Sequence, residues 1–157
     1  MYQRILVPID GSTPSNKGLD EAIKLARLTG AELRLVHVVD QLTFVTGYEP
    51  YGLYGGDLIT LMREAGEKIL AEAKAKVEAQ GIKVDGKLFD NLASRLSATV
   101  VEQATTWGAD LIVIGTHGRS GVKRLVLGSG AEQILRMAPV PVLLVRAPEV
   151  EGDQTNS

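Results

Sequence analysis

The chain has 157 residues, no cysteine and a formal net charge of −2, with 45% hydrophobic and 23% charged residues. The length suits one domain with a sizeable core, and the lack of cysteine excludes disulfides, thiol catalysis and thiolate metal sites. The weak net charge gives no sign of nucleic-acid binding, and no apolar run is long enough to span a bilayer. Since the N-terminal residues carry no secretory signal pattern, we expect a cytoplasmic protein.

Apolar runs and helical periodicities alternate along the chain. Short apolar runs predict strands at 5–9, 33–39, 83–90, 111–114 and 140–145. Apolar residues at helical spacing predict helices at 13–30, 57–80, 97–107 and 129–137, with Thr13 as the N-cap of the first. The alternation predicts an α/β domain with a mostly parallel sheet over residues 1–147, followed by a polar tail at 148–157.

A glycine-rich stretch follows the fourth predicted strand and leads into the last predicted helix. Its five glycines are Gly115, Gly118, Gly121, Gly128 and Gly130. Glycines let the backbone approach a ligand closely, and the free N–H groups and dipole of a helix N-terminus attract anions. The stretch therefore predicts a turn that binds a phosphate-bearing ligand.

A second candidate ligand loop, Asp10-Gly11-Ser12, follows the first predicted strand. Ligands of open parallel sheets bind beyond the carboxyl ends of the strands, where the strand order reverses. If strands one and four are neighbours, the two loops face each other across a crevice. Asp10 would then accept hydrogen bonds from ribose hydroxyls while the glycine stretch holds phosphates.

The spacing Gly115, two residues, Gly118, nine residues, Gly128-Ser129 resembles the G-2X-G-9X-G-S/T signature of the ATP-binding branch of the universal stress protein family. The resemblance covers nearly the whole chain, including ILVPIDGS, LVHVVD, GADLIVIGTHGRSG and LGSGAEQILRMAPVPVLLVR. It implies a Rossmann-like fold of the adenine nucleotide alpha hydrolase type. Such a fold is an open five-stranded parallel sheet in the order 3-2-1-4-5, with helices on both faces.

The resemblance also implies which residues contact a nucleotide. These are Pro8, Ile9, Asp10, Val38, Gly115, Thr116, Gly118, Arg119, Gly128, Ser129 and Gly130. By position, Asp10 would be the carboxylate near the ribose or the metal, and Val38 would line the adenine pocket.

The other positions in this set fall around the phosphates. Gly115 and Thr116 would contact the ribose and the α-phosphate, and the turn at 118–119 would cover the phosphates. Residues 128–130 would hold the β- and γ-phosphates at the helix N-terminus. The implied cofactor is ATP with Mg²⁺ or Mn²⁺, an ion bound mostly by phosphate and water oxygens. Gly130 departs from the family pattern, which often has a bulky aliphatic residue there.

The resemblance further implies a homodimer, formed when the last strand pairs with its copy in a second subunit through Val142, Leu143 and Val145. An exposed apolar strand edge needs a cover of this kind.

Several residues keep two interpretations. Asp10 could instead cap the first helix. His37 fits a structural role within its strand. His117 could be a general base, but without a carboxylate partner in the motif it fits ligand contact or loop packing better. Arg119, Lys123 and Arg124 could neutralise phosphates or face solvent. The aromatic segment 40–56 contains four of the six Phe and Tyr residues and could be a lid, a partner surface or an insertion.

The leading functional hypothesis is a nucleotide-binding regulatory protein, a stress-related homodimer that binds ATP and changes its interaction with an unidentified protein. One alternative is an enzyme with slow ATP hydrolysis or autophosphorylation, for which the stretch offers hydroxyls but no evident base. AMP or cyclic AMP could replace ATP as the ligand. The last alternative is an interaction module that works without nucleotide.

Overall fold

The computed structural model describes residues 1–39, 55–90, 95–118, 125–126 and 128–147. One sheet lies at its centre, with strands β1 Arg4–Pro8, β2 Glu32–Val38, β3 Val84–Phe89, β4 Leu111–Gly118, β5 Leu125–Val126 and β6 Val142–Ala147. The parallel strands lie in the order β3-β2-β1-β4-β6. Counted among the parallel strands this is the predicted order 3-2-1-4-5, which is confirmed.

Helices cover both faces of the sheet, as predicted. They are α1 Thr13–Thr29, α2 Gly55–Glu78, α3 Leu96–Trp107 and α4 Ser129–Met137. Strand side chains alternate between the two faces. Ile5, Leu33 and Val113 pack in one cluster with α1 and α2, whereas Leu6 and Ile112 pack in a second cluster with α3 and α4. The core is therefore divided by the sheet into two layers.

The fourth strand is longer than predicted, and this corrects the interpretation of the glycine stretch. The apolar run ends at Ile114, but β4 continues to Gly118. β6 stays in register with it as far as His117, and the short antiparallel β5 pairs Leu125 with Gly118. Because β6 pairs with positions 115–117 and β5 with positions 117–118, residues 115–118 belong to a strand and not to a turn.

The start of α1 is also corrected. Ser12, not Thr13, is the N-cap, and its hydroxyl accepts a hydrogen bond from the amide of Ser15. Pro14 falls in the first turn, where its missing N–H has no consequence. The helix ends at Gly30 in the left-handed conformation, as the sequence predicts.

Two predicted segments fall largely or wholly outside the described residues. The aromatic segment lies outside them up to residue 54, while residues 55 and 56 begin α2. The predicted polar tail at 148–157 lies outside them as well. In the part of the chain that the structure describes, no helix combines the length and apolarity needed to cross a membrane.

The first turn of α1 lies directly on the backbone of β4. A Cβ added at Gly115 would stand 1.7 Å from the carbonyl oxygen of Pro14, and one added at Gly18 would stand 2.8 Å from the amide nitrogen of Gly115. No side chain fits between helix and strand here. Glycine at 115 is therefore required by helix–sheet packing, whatever a ligand adds.

We expect Gly115→Ala to destabilise the protein by about 3 kcal/mol, because the new methyl group meets backbone atoms that a rotamer change cannot remove. The matched control is Gly86→Ala in β3, where the added Cβ would lie 3.4 Å from the movable side chain of Leu70. The control should stay within about 1 kcal/mol of the unaltered chain. Urea denaturation measures both, and equal stabilities of the two variants would contradict the packing account.

Candidate functional site

The carboxyl ends of β1, β2 and β4 lie at one edge of the sheet, and helices α1 and α4 begin there. β1 and β4 are hydrogen-bonded neighbours, as the crevice hypothesis requires. From β1 the chain adds β2 and β3 on one side, and β4 and β6 then follow on the other side. The direction of the strand order therefore reverses between β1 and β4, which makes this edge a switch point.

An opening separates the end of β1 from β5. His117 pairs with Ala147 of β6 and with Val126 of β5. Because the two partners of one strand residue lie on opposite sides of it, β5 lies on the side of β4 away from β6. This is the side on which β1 also lies. The last register pair of β1 with β4 is Leu6 with Ile112. Among the described strands, none is paired with positions 113–116 of β4 on that side. The backbone at Gly115 and Thr116 therefore borders this opening.

Strand alternation places three of the predicted site residues on the same face of the sheet. Val38 packs with the cluster beneath α3 and α4. Pro8 comes two residues after Leu6, and Thr116 comes two residues after Ile114. Leu6 and Ile114 belong to that cluster, so Pro8 and Thr116 lie on the same face of the sheet. The adenine, ribose and phosphate positions implied by the family pattern are thus brought to one side of the carboxyl edge.

The hydroxyl of Thr116 is the only buried side-chain polar atom without a hydrogen-bond partner in the described part of the chain. The residue is 4% exposed. A buried hydroxyl without a partner costs about 1–3 kcal/mol, and such a group calls for an explanation, for example a bound ligand or an ordered water. A ligand oxygen in the opening would supply the missing partner.

The N-terminus of α4 offers free backbone donors on the same face. Gly128 is its N-cap, with no side-chain cap, and the first amide bonded within the helix is that of Glu132. The amides of residues 129–131 therefore have no acceptor inside the helix. Gly128 and Ser129 are exposed, and a Cβ at Gly128 would meet no atom of the described residues within 4 Å. This arrangement suits an anion.

The departure at Gly130 has a structural reason. A Cβ there would lie 3.1 Å from Cδ2 of Leu96, the first residue of α3. The small residue lets the N-termini of α3 and α4 approach each other. Gly130 thus serves helix–helix packing, while its amide stays among the free donors of α4.

The Asp10 loop is held by its own side chains. The Asp10 carboxylate accepts a 2.8 Å hydrogen bond from the amide of Ser12, and the Asp10 amide donates to Oγ of Ser15 at 3.0 Å. Since the helix cap is Ser12, the alternative that Asp10 caps α1 is wrong. Asp10 is exposed, and within the described residues only one of its carboxylate oxygens accepts a hydrogen bond. Ser15 was missed by the sequence analysis, because a serine three residues after the N-cap does not match the capping box, which has Glu or Gln there.

The remaining predicted positions divide into those that are described and those that are not. Gly118 is the last residue of β4, and Ile9 is buried beside β2, its amide donating to the carbonyl of Val36. Arg119, Lys123 and Arg124 lie outside the described residues. His37 donates from Nδ1 to the carbonyl of Ile9 at 2.9 Å, which agrees with the structural role expected of it.

Protein groups alone do not make a metal site in the described part of the chain, where no three His, Asp or Glu side chains stand together. An ion accompanying a nucleotide would therefore take most of its ligands from phosphate and water oxygens. Mg²⁺ accepts such a set readily, because it usually keeps several waters.

A concavity of about 900 Å³ lies at the opposite edge of the sheet, lined among others by Arg27, Gln80 and Lys83. Its charged side chains have partners within the concavity: Arg4 and Lys83 both contact Glu32, and Arg27 donates to the neutral amide of Gln80. None of the predicted nucleotide-contacting residues lines it, so it is separate from the candidate site.

The sequence profile of the universal stress protein family matches residues 1–146. The chain belongs to this family. A universal stress protein of Methanocaldococcus jannaschii is 36% identical over 152 residues, which cover 96% of this chain and 86% of that protein. The universal stress protein YxiE of Bacillus subtilis is 32% identical, with coverage of 93% and 100%.

Solved structures of universal stress proteins share the fold. A family member from Burkholderia pseudomallei has a TM-score of 0.73 at 31% identity, covering 93% of this chain and 97% of its own. A universal stress protein in complex with cAMP has a TM-score of 0.61 at 22% identity, covering 92% of this chain and 97% of its own. One from Archaeoglobus fulgidus in complex with dAMP has 0.62 at 21%, with coverage of 92% and 98%.

We expect Thr116→Val to raise the free energy of unfolding by about 1 kcal/mol, because it removes a buried hydroxyl that has no partner and keeps the shape of the side chain. The control is Thr29→Val. The hydroxyl of Thr29 donates to the carbonyl of Leu25 at 2.8 Å, so its removal should lower the free energy of unfolding. Urea denaturation without nucleotide makes the comparison. A loss at Thr116 as large as the loss at Thr29 would contradict the assignment of its hydroxyl as unpaired.

Proposed function

We propose that this universal stress protein binds an adenine nucleotide, ATP in the first place, in the opening between the Asp10 loop and the N-terminus of α4, and acts as a regulatory homodimer. The observation that carries the proposal is the buried, unpartnered hydroxyl of Thr116 at this opening. A protein that used the edge only for packing would gain from an apolar residue there.

Electrostatics favour an anion at this position. Helices α1 and α4 begin at the carboxyl edge, and each contributes a partial positive charge at its N-terminus. The first turn of α1 has no acidic residue. The one acid in the first turn of α4, Glu132, makes a 2.8 Å ion pair with Arg136 in the next turn. The phosphate oxygens would accept hydrogen bonds from the free amides of residues 129–131.

The base and the sugar find chemically matched neighbours. Pro8 and Val38 give an apolar surface on the face that also holds Thr116, which suits a purine ring. The open carboxylate oxygen of Asp10 suits a ribose hydroxyl or a metal-bound water. The related proteins solved with cAMP and with dAMP support an adenine nucleotide over other phosphate-bearing ligands. A Mg²⁺ or Mn²⁺ ion would neutralise charge on the phosphates and would be held chiefly by them.

We expect ATP with Mg²⁺, at about a hundred times its dissociation constant, to raise the melting temperature by about 5 °C. Asp10→Ala and Thr116→Val should reduce the shift, because the first removes the carboxylate at the ligand loop and the second the free hydroxyl. The control Glu21→Ala removes a carboxylate that pairs with Lys24 on the surface of α1 and should keep the full shift. Thermal denaturation measures all four proteins.

The number of phosphates is settled by running AMP and cyclic AMP beside ATP. A larger shift with ATP supports contacts from the α4 N-terminus to the outer phosphates. Equal shifts would mean that the protein contacts only the base, the sugar and the first phosphate. No shift with any of the three would overturn the proposed function. Equal shifts for the unaltered chain, Asp10→Ala and Thr116→Val would contradict the proposed position of the nucleotide.

The edge of the sheet supports the proposed homodimer. Among the described strands, β6 pairs with β4 alone, so its other side carries unpaired backbone groups. Leu143 is 38% exposed on this strand, and Val142 and Val145 are half-buried. Pairing of two copies through β6 would continue the sheet across both subunits. A nucleotide bound on the β1 side of β4 would then be separated from the interface by β4 and β6.

We expect native mass spectrometry to give twice the 16.8 kDa chain mass, and Leu143→Lys to give the single chain, because a lysine on an edge strand opposes edge-to-edge pairing. The control Leu28→Lys changes a leucine that is 81% exposed on α1 and should remain dimeric. A monomeric unaltered chain, or a dimer that survives Leu143→Lys, would contradict pairing through β6.

A further inference from the structure

The imidazole of His37 lies beneath the Asp10 loop, on the face of the sheet opposite to Thr116. Its Nδ1 is 2.9 Å from the carbonyl oxygen of Ile9. A carbonyl oxygen only accepts hydrogen bonds, so Nδ1 carries the proton and donates it. His37 is therefore more than a filler of the core, since it is bonded to the backbone of the predicted site.

This hydrogen bond holds the carbonyl oxygen of the Ile9–Asp10 peptide group, and the N–H of the same peptide group is also hydrogen-bonded. The Ile9–Asp10 peptide presents its oxygen to His37 of β2 and its N–H to Oγ of Ser15 of α1. Two bonds from opposite sides fix the orientation of this peptide plane. The plane sets the direction in which the Cα of Asp10 leaves the strand, and with it the position of the carboxylate.

The ring itself is held by close packing. A Cβ added at Gly66 of α2 would lie 2.6 Å from Cδ2 and 2.9 Å from Nε2 of His37, and 2.8 Å from Cδ1 of Leu88. The glycine therefore makes room for the imidazole between α2 and β3. One turn later on α2, Ile69 would stand 3.1 Å from a Cβ at Gly11. The same helix thus packs on the histidine and on the loop.

We propose that His37 is a positioning residue for the nucleotide site: it orients the Ile9–Asp10 peptide through Nδ1, and α2 keeps the ring in place through Gly66. This inference rests on the proposed nucleotide binding, which it deepens. His37 does not touch the ligand. It acts through the backbone of Ile9 on the carboxylate of Asp10.

Two substitutions separate the hydrogen bond from the packing. His37→Asn keeps an N–H donor near the position of Nδ1 but leaves a gap against Gly66 and Leu88. His37→Leu keeps the branching at Cγ and fills the space but has no donor. Isothermal titration calorimetry with ATP and Mg²⁺, and with AMP, gives the affinities. Urea denaturation without nucleotide identifies the fraction of each variant that is folded.

We expect His37→Leu to bind the nucleotide about tenfold more weakly than the unaltered chain, the factor that one hydrogen bond of ordinary strength supplies. His37→Asn should recover most of that loss. In hydrogen exchange without nucleotide, the Asp10 amide should exchange faster in His37→Leu than in His37→Asn, since the peptide is held at one end only. A purely structural role would not produce rescue by the smaller residue.

Gly66→Ala tests the second half of the proposal, and Gly86→Ala is its control because the added methyl meets only Leu70. Gly66→Ala should weaken nucleotide binding and speed exchange of the Asp10 amide, whereas Gly86→Ala should change neither.

The outcomes separate this inference from the proposed function. Equal affinities of the unaltered chain and His37→Leu, or weaker binding by His37→Asn than by His37→Leu, would overturn the role of His37 while nucleotide binding stands. No binding of ATP or AMP by the unaltered chain would overturn the proposed function, and this inference with it.

Discussion

Contact between the backbones of Pro14 and Gly115 sets the geometry on which the rest of the site depends. The first turn of α1 lies so close to β4 that no side chain separates them. This contact brings the end of β1, the start of α1 and the end of β4 to one place on the sheet. The opening beyond Gly115, with the hydroxyl of Thr116 and the free amides of α4 on one face, exists because these elements meet there. The candidate ligand site and this packing constraint thus share Gly115.

The opposite face of the sheet supports the same edge. There α2 packs on His37 and Gly11, and His37 bonds to the carbonyl of Ile9. The loop that carries Asp10 is consequently held from β2, from α1 and from α2. Such support limits the motion of a short loop and preorganises its carboxylate, so that less freedom is lost when a ligand binds. A change in the position of α2 would be transmitted to Asp10 through these contacts.

Much of this arrangement could be predicted from the sequence, because it follows from strong local signals. Apolar runs and helical periodicities placed the parallel strands and the helices, and the family pattern supplied their order. The limits of β4 could not be predicted, since residues 115–118 are held in the strand by β5 and β6, and propensity carries no information on distant partners. For the same reason Gly115 was assigned to a ligand, whereas its contact with Pro14 is a tertiary feature. The roles of Ser15 and His37 depend on which side chains meet the Ile9–Asp10 peptide, and that becomes visible only in the folded chain.

The central claim is that the Asp10 loop and the N-terminus of α4 bind one adenine nucleotide together. Hydrogen–deuterium exchange of the unaltered protein, titrated with ATP and Mg²⁺, tests this most directly. The account predicts that exchange of the amides of residues 10–12 and 129–131 slows in parallel, with one dissociation constant. Protection at only one of these segments, or none at either while ATP binds elsewhere, would contradict it.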